Sequence, residues 1–282
     1  MIKVSVIIPS YNEEKDIRKC LSSLQEQLFR DFEIIVVDDG STDSTKKIVK
    51  SFKDVRLIEG KHKGPGFSRN LGAKKAKGEI LVFVDSDMEF DKNYLKKLIE
   101  PLIKNKEIIG TTHETEIVKN TENIWSKCWG GIRVSKENAH KVKIFRSIIK
   151  NKFLEFGGFD PKYGYADDQT LWFKYKLKPI VAKNTICYHK NPDNLKEVYK
   201  QSRWIGSSID LGIFNLSILK YLILLSLMLV SPLAIPLLSL KKAHSIRNFK
   251  VLFPWMIIFM AFRYSGSLEG IFRQIYLKVN MR

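Results

Sequence analysis

Five apolar residues, Ile80, Leu81, Val82, Phe83 and Val84, run straight into Asp85, Ser86 and Asp87 within the stretch GEILVFVDSD, Gly78 to Asp87. An unbroken apolar run of this length suits a strand covered on both faces, as in the parallel part of an α/β sheet. Ligands of such sheets bind beyond the carboxyl ends of the strands, and this is where two carboxylates one serine apart would stand. Two readings are open at this point. One Asp caps the following helix, or the pair, mutually repulsive, is relieved by a divalent cation.

The stretches around this strand repeat its pattern. Val4 to Ile8 is β-branched and ends at Pro9, and Asn12 is placed to cap a helix whose first turn carries Glu13 and Glu14. Ile17, Leu21, Leu24 and Leu28 recur at helical spacing and predict one buried face. Glu33 to Val37 is a second apolar strand that ends in Asp38 and Asp39, followed by a turn rich in Gly, Ser and Thr. Asp43 or Ser44 then starts a helix over residues 45–52, and Val55 to Ile58 supplies a third strand. This alternation predicts a doubly wound, mostly parallel sheet. Residues 60–78 form a glycine-rich basic loop in which Gly64 and Gly66 permit close backbone approach, while Lys61, Lys63 and Arg69 offer donors to a phosphate. The alternative is a solvated lysine-rich loop.

Tyr94 to Ile103 reads as an amphipathic helix and Ile108 to Thr112 as a strand, after which residues 113–150 lose the rhythm and read as a variable loop and helix facing a cleft. Gly157-Gly158 marks a turn, Asp167-Asp168 starts a helical stretch that Pro179 closes, and Ile180 to Ala182 and Thr185 to Tyr188 are short strands before His189. Acids at a helix start are stabilised by its dipole, so capping is an equal reading of Asp167 and Asp168.

The composition changes after about residue 215. Tyr221 to Leu240 holds no charge, enough to span the hydrocarbon of a membrane, although Pro232 and Pro236 threaten its helix. Val251 to Phe262 is a second, shorter apolar stretch before Arg263. Lys and Arg flank both stretches, which the positive-inside rule reconciles better with a re-entrant or in-plane hairpin than with a transmembrane pair. The expected division is therefore an α/β domain over residues 1–205 and a membrane-associating region over 206–282. A formal net charge of +18, from 48 Lys+Arg against 30 Asp+Glu, favours polyanionic partners. No basic run is interleaved with aromatics, which argues against nucleic acid. Cys20, Cys128 and Cys187 lack metal or disulfide spacing and fit a reducing compartment. MIKVSVIIPSYNEE enters a strand at once without a cleavage pattern, so secretion is not expected.

Taken together, VSVIIPSYNEE, IIVVDDGSTDST, GFSRNLGAKKAKGEILVFVDSD and GGFDPKYGYADDQ resemble, in that order, the family 2 inverting glycosyltransferases with the GT-A fold, over residues 1–205. The resemblance implies nucleotide binding by Pro9, Tyr11 and Glu13, with the aromatic ring on the base and the acid at the ribose. It implies that Asp38 and Asp39 lie beside the base, Asp39 the closer. Asp85 and Asp87 match the DxD motif, whose last acid holds a Mg²⁺ or Mn²⁺ on the diphosphate of a nucleotide sugar, and His189 matches a histidine that completes the metal or diphosphate site. Asp168 matches the general base, with Asp167 where the family usually has Glu.

Inversion is a single displacement in which a base takes the acceptor hydroxyl proton while the nucleoside diphosphate leaves from the opposite face. Charge gathering on the leaving group calls for the cation, with Lys63 or Arg69 beside it. KQSRWIG, residues 200–206, only partly matches the QxxRW motif of processive synthases, because Lys200 stands in place of Gln. Arg203 and Trp204 are thus either acceptor contacts or membrane-interface residues. The expected protein is a membrane-associated enzyme with its catalytic domain on the cytoplasmic face, passing a single sugar to a lipid-linked or cell-envelope glycan. The alternatives are a polyprenyl-phosphate glycosyl synthase and, from another class, a non-catalytic sugar-nucleotide or lipid-binding membrane scaffold.

Overall fold

The computed structural model describes residues 3–207, 226, 235–241 and 249–280, with side chains in the last helix over 252–273. Two compact units emerge. The first comprises residues 1–119, 132–162 and 166–190, and the second comprises 120–131, 163–165 and 191–282.

The first unit is built on one sheet. Strands β1 (Val4–Ser10), β2 (Phe32–Asp38), β3 (Val55–Glu59) and β4 (Ile80–Phe83) run parallel in the order β3-β2-β1-β4. Along β4 and the residue that follows it, Ile80, Val82 and Val84 enter one core while Leu81 and Phe83 enter the other, so the apolar run is buried on both faces as its sequence requires. Helices α1 (Ile17–Gln25), α2 (Thr45–Lys50) and α4 (Tyr94–Lys104) contribute to the first core. Helices α3 (Pro65–Lys75), α6 (Lys150–Glu155) and α7 (Thr170–Tyr175) contribute to the second. Gly72 lets α3 lie on β1, since a Cβ there would meet Ile7 Cγ2 at 2.5 Å.

Beyond β4 the sheet is not parallel, which corrects the mostly parallel sheet expected from the sequence. β5 (Met88–Phe90), β6 (Gly110–Val118), β7 (Ile132–Val134), β8 (Ser147–Ile149) and β9 (Ile180–His189) extend it in the order β4-β8-β6-β9-β5, with β7 on β6. β8 pairs antiparallel with both β4 and β6, and β5 pairs antiparallel with β9, while β6 and β9 are parallel. The sheet is therefore mixed. The two short strands expected around residue 183 are one strand, β9, whose register against β6 shifts between His113 and Thr115.

Three local expectations are also corrected. Asn12 does not cap α1, because it adopts φ 56° and its Oδ1 accepts from Thr42 N at 2.8 Å; the helix starts at Ile17 instead. Leu28 lies past the end of that helix and is exposed. Asp167 and Asp168 do not open α7 but close a 3-10 turn over Pro161–Gln169.

The second unit contains α5 (Ile124–Trp129), α8 (Leu195–Ser207) and the 32-residue α9 (Phe249–Asn280). Cys128, Val198, Leu252, Met256 and Phe259 form its core. α8 and α9 meet through glycines: a Cβ on Gly206 would strike Ser267 O, and one on Gly270 would strike Arg203 O. The apolar stretch 251–262 lies in α9. The stretch 221–240 falls outside the described residues apart from 226 and 235–240. Among the described residues no helix is long and apolar enough to cross a membrane.

Candidate active site

The carboxyl ends of β1, β2 and β4 carry the acids, and each is fixed by a local reason. Asp38 ends β2, and its Oδ2 accepts from Gly40 N at 3.2 Å and Ser41 N at 3.0 Å, which turns the chain. Its Oδ1 is buried with no hydrogen-bond partner among the described residues. Asp39 accepts from Lys63 N at 2.8 Å and Gly64 N at 2.7 Å and so holds the basic loop. Pro9 is buried in β1 opposite Val37. Tyr11, 38% exposed, lies with its ring centroid 4.2 Å from that of His62, and Glu13 N donates to Thr45 Oγ1 at 2.8 Å. These groups line one end of the sheet with an open aromatic ring.

The arginine of the basic loop is engaged by carboxylates of the chain itself. Arg69 is buried, donating from NH1 to Asp167 Oδ1 at 2.7 Å and from NH2 to Asp85 Oδ1 at 2.6 Å. Gly66 is needed for the same contact, since a Cβ there would lie 2.6 Å from Asp167 Oδ2. The loop's close approach here is to the Asp167 carboxylate. Lys63 stays exposed, its ammonium 4.8 Å from the Phe67 ring centroid.

Asp85 is held at both oxygens, by Arg69 and by Arg146 NH1 at 3.1 Å from Oδ2. Burial alone would raise its pKa, but Arg146 and Arg69 hold it far below the ordinary carboxylate range. It bridges two guanidinium groups. Arg146 is positioned by the mixed sheet: its carbonyl accepts from Phe83 N at 2.9 Å and its N–H donates to Thr111 O at 2.9 Å. Arg146 NH2 lies 3.9 Å from Glu116 Oε2 on β6.

Glu116 completes the run. Its Oε1 accepts from His189 Nδ1 at 2.7 Å and its Oε2 lies 3.0 Å from His113 Nε2. Burial acts to raise the Glu116 pKa, yet these two hydrogen bonds keep it well below normal. Burial lowers the His113 pKa, leaving a neutral ring that donates to Glu116. His189 Nε2 lies 2.8 Å from Asp87 Oδ2. Burial opposes charge on this imidazole, but Asp87, and hydrogen bonds to Asp87 and Glu116, raise its pKa to about 9. The register explains the meeting, because Met88 on β5 pairs with His189 on β9. Arg133 on β7 packs against the same ring, with NH1 2.8 Å from Nδ1.

A continuous chain of ion pairs thus runs from Asp167 through Arg69, Asp85, Arg146 and Glu116 to His189 and Asp87. Asp168, next to Asp167, stands at the other end from Asp87. Burial raises its pKa to about 6, against the pull of Arg69 and Arg146. Asp87 keeps a 30% exposed side chain, and its oxygen converges with an imidazole nitrogen. Carboxylate and imidazole are donors a divalent cation takes, and since His189 Nε2 here donates to Asp87 Oδ2, a cation would enter only in place of that proton. A second group with metal-ligating atoms, His113, Glu116 and Cys187, is buried and closed by its own contacts, with Cys187 Sγ 3.3 Å from His113 Nδ1.

Arg203 and Trp204 belong to the second unit. There Arg203 pairs with Glu269 at 3.5 Å and Trp204 meets Tyr165 edge-on at 4.9 Å. The sequence reading missed Arg146, Glu116, His113 and Arg133. Their signal is a charged residue inside a strand pattern, IFRSII for Arg146 and GTTHETEIV for Glu116.

The family profile described as "Glycosyl transferase family 2" matches residues 5–167, more than half of the chain. The chain belongs to glycosyl transferase family 2. Among its relatives is the poly(ribitol-phosphate) beta-N-acetylglucosaminyltransferase TarS of Staphylococcus aureus, 46% identical over 103 residues, which are 34% of this chain and 18% of TarS. The GalNAc(5)-diNAcBac-PP-undecaprenol beta-1,3-glucosyltransferase of Campylobacter jejuni is 31% identical over 194 residues, 63% of this chain and 61% of that protein. The chain thus spans less than two thirds of the length of these relatives. Among solved structures, the mannosyltransferase PcManGT of Pyrobaculum calidifontis, in complex with GDP-Man and Mn²⁺, gives a TM-score of 0.60 at 18% identity, covering 96% of this chain and 88% of that one. S. aureus TarS 1-349 in complex with UDP-GlcNAc gives 0.51 at 21% identity, covering 96% and 92%. These likenesses carry the fold, a GT-A-like mixed α/β sheet.

Proposed function

We propose that this chain transfers a single sugar, with inversion, from a nucleoside diphosphate sugar to a lipid-linked or cell-envelope glycan at the cytoplasmic face of a membrane. The observation that carries the reading is the single run of ion pairs with a raised-pKa carboxylate, Asp168, at one end and the Asp87–His189 pair at the other. A carboxyl of pKa about 6 is ionised at neutral pH and basic enough to take a hydroxyl proton. Asp168 is the base in this reading. Asp167 and Arg69 hold the segment that carries it. Tyr11 stacks on the nucleobase, and the unpartnered Oδ1 of Asp38 receives a donor from the nucleoside.

Asp87 and His189 would hold the divalent cation, and the imidazole in that donor set favours Mn²⁺ over Mg²⁺. Such a cation supplies neutralisation of the charge developing on the leaving diphosphate. Asp85 is assigned a framework role, keeping Asp87 and Asp168 on one rigid support. Lys63, exposed at the loop, remains available to the diphosphate.

The acceptor class is supported by the printed names of the two relatives, one acting on poly(ribitol-phosphate) and one on an undecaprenol-linked diphosphate. Membrane association is supported by the net charge of +18, and by Trp255, Ile258 and Phe262, exposed along one face of α9. The test is a mass-spectrometric screen of nucleotide sugars with Mn²⁺ and a lipid-linked glycan, followed by NMR of the product anomer. Addition of one sugar with inverted configuration is expected. A retained configuration, or no transfer with any donor, would refute the reading.

A further inference from the structure

We propose that the three lysines gathered on Trp172 form a binding site for phosphate groups of the acceptor, so that the acceptor carries phosphodiester or diphosphate groups. This rests on the glycosyltransferase reading above and narrows it. The ammonium groups of Lys143, Lys178 and Lys176 lie 4.6, 5.0 and 5.4 Å from the centroid of the same indole ring. One ring attracts a cation, but three like charges around it repel one another. Among the described residues none of the three pairs with a carboxylate. The neighbouring lysines behave differently: Lys174 and Lys162 both reach Asp160, at 2.8 and 3.3 Å. The cluster on Trp172 is therefore an uncompensated concentration of charge, and an anion with several oxygens relieves it.

The backbone supplies a second, independent observation. Lys176 closes α7 with φ 56° and ψ 21°, the left-handed conformation in which glycine is the unstrained choice. Its N–H donates to Trp172 O at 3.0 Å, a bond any residue other than proline makes. The turn thus gives no reason for a lysine, while the side chain points back over the indole.

Location connects the cluster to the chemistry. Trp172 lies four residues after Asp168, one helical turn away. Lys143 lies three residues before Arg146 on the segment leading into β8. Both arms of the cluster are thus continuous in sequence with the acid and arginine network, one of them with Asp168.

The test uses the full chain at physiological salt with two probes: poly(glycerol phosphate), a soluble phosphodiester chain, and phosphatidylcholine vesicles containing undecaprenyl diphosphate. A variant with Lys143, Lys176 and Lys178 each changed to Gln is compared with one in which the exposed Lys47, Lys53 and Lys74 are changed to Gln, an equal loss of charge. Removing the cluster is expected to weaken binding by at least about tenfold, and the control by less than about threefold. Loss confined to the polymer, or to the vesicles, assigns the phosphate to a chain or to a lipid and supports the proposal. Equal losses in the two variants, no loss, or no binding of either probe by the parent would overturn it. Lys176→Gly is expected to melt no lower than the parent while still losing affinity, which separates recognition from folding. Hydrolysis of the nucleotide sugar, followed in all variants, is expected to be unchanged and judges the glycosyltransferase reading separately.

Discussion

Asp168→Asn separates what the proposed base does for the reaction from what it does to the fold. In the native structure the Asp168 carboxyl has its pKa raised from the ordinary 3.8 to about 6, chiefly by burial and further by Asp167 and Asp85, against Arg69 and Arg146. A carboxyl whose folded pKa lies above its unfolded value stabilises the fold fully below the unfolded pKa, and that contribution is lost as pH rises through the folded pKa. At pH 8 the ionised group of this half-buried residue therefore costs at most about 3 kcal/mol relative to a neutral one. For a chain of 282 residues this corresponds to about 5 °C in Tm. Asn is neutral at every pH and nearly isosteric. The variant should melt up to about 5 °C above the parent at pH 8 and converge with it as pH falls from 6 to 4. Turnover should drop by about 10² to 10⁴, with nucleotide affinity retained. Melting curves across this pH range, together with initial rates, provide the assay. A variant that melts below the parent at pH 8, or one that turns over at the parental rate, would refute the burial of this charge or its use as a base, respectively.

Other consequences follow from the same geometry. The kcat/KM of the parent should rise with pH through an apparent pKa near 6 as Asp168 ionises, measured with a saturating donor at constant ionic strength. Arg146→Met leaves Asp85 and Glu116 without their shared cation, and urea unfolding should show a loss of about 3 to 5 kcal/mol. Gly270→Ala places a methyl against Arg203 O where α8 meets α9; proteolysis within residues 195–280 should accelerate while the first unit stays protected. Tyr11→Ala should weaken nucleotide binding by about 1 to 3 kcal/mol in calorimetry, with kcat little changed.

What the sequence revealed and what it hid follow from the same physics. β1, β2 and β4 were legible because a strand buried on both faces is mostly apolar, and the acids of β2 and β4 were legible because those apolar runs end in them. The antiparallel half was not, because β5, β7 and β8 have three residues each, too few to show a period. The ion pair of Arg69 was not legible for a related reason: a glycine-rich basic loop has the composition of a phosphate cradle whether its guest is a phosphate or a carboxylate of the same chain. Only the fold reveals that Asp167, 98 residues away, occupies that place.

The residues that escaped notice are the ones that make the site a unit. Arg146 and Glu116 are charged positions inside strands, where burial is tolerable only with a partner. Their partners, Asp85 and His189, lie 61 and 73 residues away in sequence. A local reading sees Asp85 and Asp87 as equivalent members of one motif. The long-range pairs divide them: Asp85 has both oxygens engaged by guanidinium groups, while Asp87 is bonded through Oδ2 to an imidazole. That division ties the proposed metal end to the proposed base end by salt bridges, not through a flexible loop. Displacement of either end must strain the other, so substitutions at Arg146 should move the pH profile of Asp168 as well as the affinity for Mn²⁺.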